Sequence, residues 1–347
     1  MQFTFTDEQA MMAEMTRKLL TAECTSARLR SLLATGQNFD ADRWEKLMGL
    51  GLAGSLVPED KGGLGLSCVD FVQLAEGCGY VALPEPLVEL AGVTLPLLAA
   101  LDRPDLLAQA MAGQAFVALS HPLNPVIVDA DRADAILRVG PDRIDLIPAN
   151  AVQLVARPSV DPLRRVFTMQ ADERRVTILA TGKAAARLAE QAVDRAALFG
   201  AAQMLGMAQR CVDLSVAYTS ERKQFGKPIG TYQAVKHHLA TAQVKIEFAR
   251  PVLHAASALA PGAGVATAAR ISHAKLACGD AADLAARNAV QVHGAMGYSW
   301  EVDVHFYLKR ALALTNAWGT PAWHRDRMAA RVFGAPLEIE TLFPQEG

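Results

Sequence analysis

The stretch KAAARLAEQAVDRAALFGAAQMLGMAQRCVDLSVAYTSERKQFG, residues 183–226, decides the fold of this chain. Its alanine and leucine content predicts one long helix, and about forty helical residues extend roughly 60 Å at 1.5 Å per residue. Residues 231–260 and 265–297 supply two more long helical segments. Because alanine-rich faces let helices approach closely, we expect an antiparallel four-helix bundle with a face left for another subunit.

The chain before this bundle divides into two parts by its hydrophobic pattern. Up to about residue 112, helical segments alternate with short turns. Residues 113–178 contain short alternating segments rich in Val, Ile and Leu, which predict a small antiparallel sheet or barrel. The expected fold is therefore α+β and mainly α: an N-terminal helical domain (1–112), a reduced middle β domain (113–178) and a C-terminal four-helix bundle (179–347).

Composition excludes several classes of protein. The 34 basic and 36 acidic residues are interspersed and give a net charge of -2, which leaves no basic face for nucleic acid. No apolar run approaches the roughly eighteen residues of a membrane span, and the N-terminus carries acids where a signal peptide is basic. The five cysteines are scattered and form no C-x-x-C pair. We expect a soluble cytoplasmic protein with reduced thiols and no nucleic-acid or membrane partner.

Residues 220–240, SERKQFGKPIGTYQAVKHHLA, form the first segment that suits a chemical role. Arg222 lies at the end of the long helix, and Thr231 can cap the helix that carries Gln233. An arginine beside a glycine-rich break and a helix N-terminus suits a phosphate, because the guanidinium and the first amides all donate hydrogen bonds. An ordinary solvated helix end explains the same residues, and the sequence leaves both interpretations open.

Residues 291–311, QVHGAMGYSWEVDVHFYLKRA, form the second such segment. Gln291 ends a helix, and Gly294 and Gly297 permit close approach of the backbone. No strand precedes this G-x-x-G pattern, so it does not predict a Rossmann fingerprint. We also expect no hydrolase triad, because no G-x-S-x-G elbow is present. Metal binding is not expected, because these histidines lack the spacing of helical ligand pairs: His237, His238, His293 and His305.

Residues 311–333, ALALTNAWGTPAWHRDRMAARVF, predict two helices with a break between them. Gly319 suits the left-handed conformation that ends a helix, Thr320 suits an N-cap, and Pro321 suits the first helical position. We expect Trp318 to pack in the core where the two helices meet.

Together these segments resemble the acyl-CoA dehydrogenase family over nearly the whole chain. The family's order and approximate spacing are kept by FTFTDEQAMM (3–12), GLGLAGSLVPEDKGGLGLS (49–67), YTSERKQFGKPIGTYQAVKHHLA (218–240) and AVQVHGAMGYSWE (289–301). The resemblance implies the three-domain architecture above. It also implies FAD-dependent oxidation of an acyl-CoA thioester to trans-2-enoyl-CoA, in which a carboxylate removes the α proton and the β hydrogen leaves as hydride to the flavin.

The resemblance also implies which residues bind the cofactor. Arg222 would contact the FAD pyrophosphate of a neighbouring protomer. Gln291 and Gly294 match the family's Q-x-x-G-G, which meets the adenosine half, although Ala295 replaces its second glycine. The full expected set is Arg222, Phe225, Gln233, Gln291, Gly294 and Thr320.

The chain departs from the family in the cleft where a dehydrogenase holds its own substrate. In place of the flavin-binding loop T-E-P-x-x-G-S-D it has ALSHPLNPVIVDADRADAILRVG, residues 118–140, with Ser120 and His121 near the lost Thr and Glu. The commonest position of the catalytic glutamate, in an E-G-T motif, is Trp318. The alternative position, early in the first bundle helix, is Ala196.

Two main interpretations follow. In the first, the chain is a non-catalytic subunit that completes the flavin site of a longer partner in an α2β2 assembly, as in some bacterial enzymes acting on CoA thioesters of steroid or bile-acid side chains. In the second, it is a self-sufficient homo-oligomeric dehydrogenase whose base is Asp194 or Glu301. A flavin-free interaction protein is a third alternative. The elements donated across the interface are retained and those of the chain's own cleft are lost, so we favour the first.

Overall fold

The computed structural model describes residues 5–262 and 264–334, and its first part is helical. The helices are α1 (Asp7–Glu23), α2 (Ser26–Ala34), α3 (Ala41–Gly49), α4 (Cys68–Tyr80), α5 (Leu87–Glu89), α6 (Leu95–Ala100) and α7 (Pro104–Met111). The side chains of Thr6 and Ser67 form capping boxes that begin α1 and α4. A π-helical turn, Leu90–Thr94, joins α5 to α6.

The middle part contains seven strands in two sheets within the described residues. They are β1 (Val117–Ser120), β2 (Ile127–Val128), β3 (Ala135–Val139), β4 (Arg143–Pro148), β5 (Val152–Arg157), β6 (Val166–Ala171) and β7 (Thr177–Thr181). One sheet has the order β1-β3-β4-β7 and the other β2-β6-β5. The prediction of a purely antiparallel sheet was wrong, because β1 pairs with β3 in parallel. The chain between them passes through β2 in the other sheet, so β3 enters the first sheet in the same direction as β1.

The last part is the helical bundle, and its first helix confirms the prediction made from residues 183–226. The helices are α8 (Gly182–Glu221, 40 residues), α9 (Gln233–Ser257), α10 (Val265–His293), α11 (Val304–Asn316) and α12 (Pro321–Gly334). A short hairpin of β8 (Lys223–Gln224) and β9 (Lys227–Pro228) connects α8 to α9. Within the described residues, no helix has the length and apolar content needed to cross a membrane.

Helices α4 and α8 pack closely and join the N-terminal helices to the bundle. A β-carbon at Gly79 would overlap the backbone oxygen of Gln203, and one at Gly206 would overlap that of Glu76. Buried hydrophobic residues of the N-terminal helices, the first sheet and the bundle form one continuous cluster. All five cysteines are buried and none forms a disulfide. The bundle is therefore held against the N-terminal helices by a shared core.

Candidate functional site

Three helix ends meet at one end of the bundle. The Tyr218 ring, in the last turn of α8, stacks on the His293 ring at the end of α10, with centroids 4.2 Å apart. The side-chain amide of Asn288 on α10 donates to the backbone carbonyl of His238, near the start of α9, over 2.8 Å. Five of the six residues expected on the cofactor lie on these ends or on the hairpin between them: Arg222, Phe225, Gln233, Gln291 and Gly294.

The hairpin between α8 and α9 presents Arg222 and Phe225 at this end. The Ile229 N–H donates to the Arg222 carbonyl over 2.8 Å, which holds Arg222 beside the start of α9. Phe225 is 93% exposed and has a φ of 51°, in the left-handed region that is unfavourable for a residue with a side chain. An apolar ring held outward in this conformation suits contact with a ligand or a partner.

The start of α9 differs from the prediction. Thr231 does not cap the helix, because its hydroxyl donates to the Pro228 carbonyl over 2.7 Å. The N-cap is Tyr232, and no side chain accepts a hydrogen bond from the first turn. The first amides of α9 are therefore available to an anion. Arg222 is exposed nearby and forms no ion pair with a described carboxylate, so these groups fit the pyrophosphate of FAD.

The end of α10 offers an open stretch of backbone to the same region. Gln291 lies in the last turn of α10, and its carbonyl accepts the N–H of Gly294. Gly294 has a φ of 60°, which favours glycine, and no atom lies within 4 Å of the place where a β-carbon would stand. A flat ligand can therefore approach the backbone here, as the adenosine half of FAD requires.

Thr320 is not brought together with the other five residues. Its hydroxyl accepts the Trp323 N–H over 3.3 Å, so it caps α12 as predicted. The neighbouring His324 contacts Ser272 in the first third of α10 over 3.0 Å. About 28 Å of helix separates Ser272 from Gln291, because each residue rises 1.5 Å. The role of Thr320 on a cofactor remains a prediction.

The break before α12 confirms the predicted burial of Trp318, which is 6% exposed. Its N–H donates to Asn124 Oδ1 over 2.7 Å, and its ring lies 5.6 Å from that of His121. Its carbonyl lies 3.1 Å from His324 Nε2. Burial lowers the pKa of His324 to about 3, so the neutral ring can donate here from Nε2. Trp318 is thus held by the segment that replaces the flavin-binding loop and by α12.

Trp318 and Ala196, which the family resemblance places at the two usual positions of the catalytic base, line one cavity together with Gly200 and Gln203. The correspondence of both positions with one cavity supports the alignment that identified them. Its volume is about 50 Å³, room for a few water molecules and far less than an acyl thioester needs. The cavity is therefore closed to an acyl thioester, and an indole lines it at the position where the family resemblance predicts a carboxylate.

Charged residues that sequence reasoning missed also line this cavity. Burial raises the pKa of Glu89 to about 7, an effect that Arg164 partly offsets. Burial, and then Arg164, lowers the pKa of Lys275 to about 7, and its ammonium donates to the Leu314 carbonyl over 2.7 Å. The sequence did contain a signal for these two residues, because each is the single charged residue inside an apolar run, PLVELAG for Glu89 and ISHAKLACG for Lys275.

Neither acid considered as an alternative base lines this cavity. Asp194, on α8, forms an ion pair with Arg327 of α12 at 2.6 Å, and burial raises its pKa. Glu301 is exposed in the turn before α11. A catalytic role for either residue therefore remains a prediction that the arrangement of the cavity does not support.

The fold is shared with solved structures. The ChsE4-ChsE5 complex from Mycobacterium tuberculosis contains a chain that superposes with a TM-score of 0.83 at 23% identity, over 97% of this chain and 100% of that one. The acyl-CoA dehydrogenase N-terminal domain matches residues 6–99, and the C-terminal domain matches residues 186–333.

Curated relatives agree with these domain matches. The chain is 31% identical over 332 residues to the acyl-CoA dehydrogenase IpdE2 of M. tuberculosis, covering 95% of this chain and 99% of that protein. It is 32% identical over 328 residues to the acyl-CoA dehydrogenase FadE34 of the same organism, covering 89% of this chain and 45% of that protein. The chain belongs to the acyl-CoA dehydrogenase family, whose members are FAD-dependent oxidoreductases.

Proposed function

We propose that this chain is a subunit of an acyl-CoA dehydrogenase that completes the flavin site of a second, longer subunit in an α2β2 assembly in the cytoplasm. One observation carries the proposal. The end of the bundle that would meet a neighbour's FAD is exposed, whereas the cleft that would hold the chain's own acyl-CoA is closed under Trp318. The acyl-CoA substrate and the catalytic carboxylate then belong to the partner.

The relatives support a two-part enzyme. The solved ChsE4-ChsE5 structure is a complex of two named components, and one of its chains shares this fold. FadE34 matches this chain over 45% of its own length, so more than half of that longer protein lies outside the match. That longer protein is large enough to contain two units in one polypeptide, one with a closed cleft and one with an open cleft.

Each retained residue has a physical role at the proposed site. The Arg222 guanidinium neutralises pyrophosphate charge, and the uncapped start of α9 at Gln233 adds amide donors. Gln291 and Gly294 offer side-chain and backbone groups to the adenosine half, and Phe225 covers part of the cofactor with an apolar ring. When bound, FAD supplies the hydride acceptor for the partner's substrate.

Coexpression tests the proposal. The chain is produced alone and together with the product of its neighbouring gene, and flavin absorbance, mass and turnover are measured for each. We expect a colourless chain alone and a yellow, active heterotetramer from the pair. A yellow, active homo-oligomer of this chain would refute the proposal in favour of the self-sufficient alternative.

Asp194→Asn tests that alternative within the same enzyme. If Asp194 were the base, the change would abolish turnover while flavin is retained. We expect turnover to survive, because Asp194 contacts Arg327 and not the cavity. Arg327→Gln is the matched control, since it disturbs the same ion pair and leaves the carboxylate in place. Loss of turnover in Asp194→Asn alone would assign the base to this chain.

A further inference from the structure

A second cavity, of about 630 Å³, lies at the seam between the N-terminal helices and the bundle. Helices α1, α4, α8 and α9 form its walls, and Phe5 lies at its edge. Each helix contributes residues at helical spacing, such as Arg250 and His254 on α9, so one face of each helix meets the cavity. It shares no lining residue with the cavity under Trp318 and none with the cofactor end of the bundle.

The acidic side chains of this seam cavity already have donors. Glu76 on α4 forms an ion pair with Arg250 at 2.6 Å. Asp213 on α8 accepts hydrogen bonds from the Tyr80 hydroxyl over 2.7 Å and from Gln209 over 3.0 Å. The remaining lining acid, Glu14, is exposed and pairs with Lys18 at 2.7 Å. Each lining carboxylate therefore already accepts from a described donor.

Several of the hydrogen-bond donors that line the seam cavity, in contrast, lack an acceptor among the described residues. Gln73 Nε2 and His254 Nε2 are buried and have no hydrogen-bond partner within the described part of the chain. Burial lowers the pKa of His254, so the ring is neutral at pH 7, and its single N–H can lie on the unpartnered Nε2 and donate to an acceptor. The Arg17 guanidinium lies over the Tyr80 ring, 4.2 Å from its centroid, and forms no ion pair with a described carboxylate.

Buried donors without an acceptor destabilise a protein unless water or a ligand supplies one. The buried Gln73 and His254 nitrogens and the exposed Arg17 guanidinium come from three different helices and line one cavity, whose volume lies within the usual range for small-molecule sites. The aromatic rings of Phe5 and Tyr80 provide apolar surface beside these donors. The arrangement thus combines acceptor-seeking groups with an apolar wall.

We propose that the seam cavity binds a small organic monocarboxylate. The carboxylate oxygens accept from Arg17, Gln73 and His254, and the apolar part of the ligand packs against Phe5 and Tyr80. Such a ligand bridges α1 and α4 of the N-terminal part to α9 of the bundle. This site is independent of the flavin site and goes beyond the proposed function.

The test is calorimetric titration of the full-length chain at pH 7 with acetate, phenylacetate and octanoate, and with phenylacetamide as the neutral counterpart of phenylacetate. We expect saturable binding of phenylacetate or octanoate and no measurable binding of phenylacetamide. Arg17→Gln is expected to weaken binding about tenfold or more, because it removes a charge-assisted hydrogen bond. The matched control is Lys18→Gln, the next residue of α1, which does not line the cavity and whose ammonium pairs with the exposed carboxylate of Glu14.

Two results would overturn the proposal. One is the absence of saturable binding for all three carboxylates at millimolar concentration. The other is equal binding by Arg17→Gln and Lys18→Gln, which would place the ligand elsewhere. If Arg17→Gln does not fold, Gln73→Leu is tested instead. This change removes a buried donor and keeps the side-chain volume nearly constant. Unchanged affinity for the carboxylate in that variant would contradict the proposal.

Discussion

The cofactor end of the bundle and the closed cleft under Trp318 differ in how their polar groups are satisfied. At the cofactor end, Arg222 forms no ion pair with a carboxylate of residues 5–262 or 264–334, Phe225 projects into solvent in a left-handed conformation, and α9 begins without a side-chain cap from those residues. In the cleft, the Trp318 backbone is hydrogen-bonded on both sides and its ring is buried. The first region presents groups that another molecule can supply with partners, whereas the Trp318 backbone in the second already has its partners. The exposed groups of the first region therefore suit a subunit that contributes residues to a neighbour's site.

The largest expected effect is on the cofactor end. Arg222→Ala in the coexpressed pair should weaken FAD retention by about ten- to a hundredfold, because a bidentate, charge-assisted contact to pyrophosphate is lost. The flavin-to-protein ratio after gel filtration measures this loss. Arg187→Ala, which removes an exposed arginine from the other end of α8, is the control. Equal flavin content in the two variants would show that Arg222 does not contact FAD. The proposed difference between the two regions would then be wrong.

The closed cleft is expected to respond through stability. Trp318→Ala should lower the free energy of unfolding by about 3–5 kcal/mol, because it leaves a void where a buried indole packed. Chemical denaturation of the chain measures this change. Trp318→Glu should not give turnover to the chain alone, because residues 118–140 replace the flavin-binding loop as well. Turnover from that single change would show that the cleft is closer to a working site than its small cavity indicates.

Glu89 tests whether charge inside the closed cleft has a catalytic role. Its pKa is about 7 in the folded protein and near 4.5 when unfolded. Between these values the folded state holds a proton that the unfolded state has released, so the contribution of Glu89 to stability falls as pH rises from about 4.5 to 7. Glu89→Gln removes this titration. The free energy of unfolding of the variant, taken relative to that of the unsubstituted chain, should therefore be about 1–3 kcal/mol higher at pH 8 than at pH 5.

Denaturant midpoints at pH 5 and pH 8 measure the effect of Glu89→Gln, and turnover of the pair should remain unchanged. A pH-independent difference would mean that Glu89 is not buried as the structure has it. Loss of turnover with flavin retained would mean that the cleft takes part in the chemistry.

The sequence predicted features that depend on neighbours along the chain. The long α8 and the capped break at Trp318, Gly319 and Thr320 follow from helical periodicity and local capping, and both are confirmed. Features that depend on distant contacts were missed. Lys275 meets the Leu314 carbonyl only after folding, and the pairing of β1 with β3 depends on where the intervening strand lies. The family resemblance supplied the six residues expected on the cofactor, which remain a prediction, and the structure showed that Thr320 lies apart from the other five.

The smallest expected effect is a difference in stability between two threonine variants. The two threonines look alike in sequence, since each precedes a helix. Thr320 accepts a hydrogen bond from the first turn of α12, so Thr320→Ala should cost about 1 kcal/mol of stability. Thr231 accepts none from α9, so Thr231→Ala should lose only an exposed hydroxyl bond and cost less than about 0.5 kcal/mol. Parallel thermal unfolding of the two variants measures the difference. A cost for Thr231→Ala as large as that for Thr320→Ala would mean that α9 is capped in solution, and its first amides would then be unavailable to the pyrophosphate.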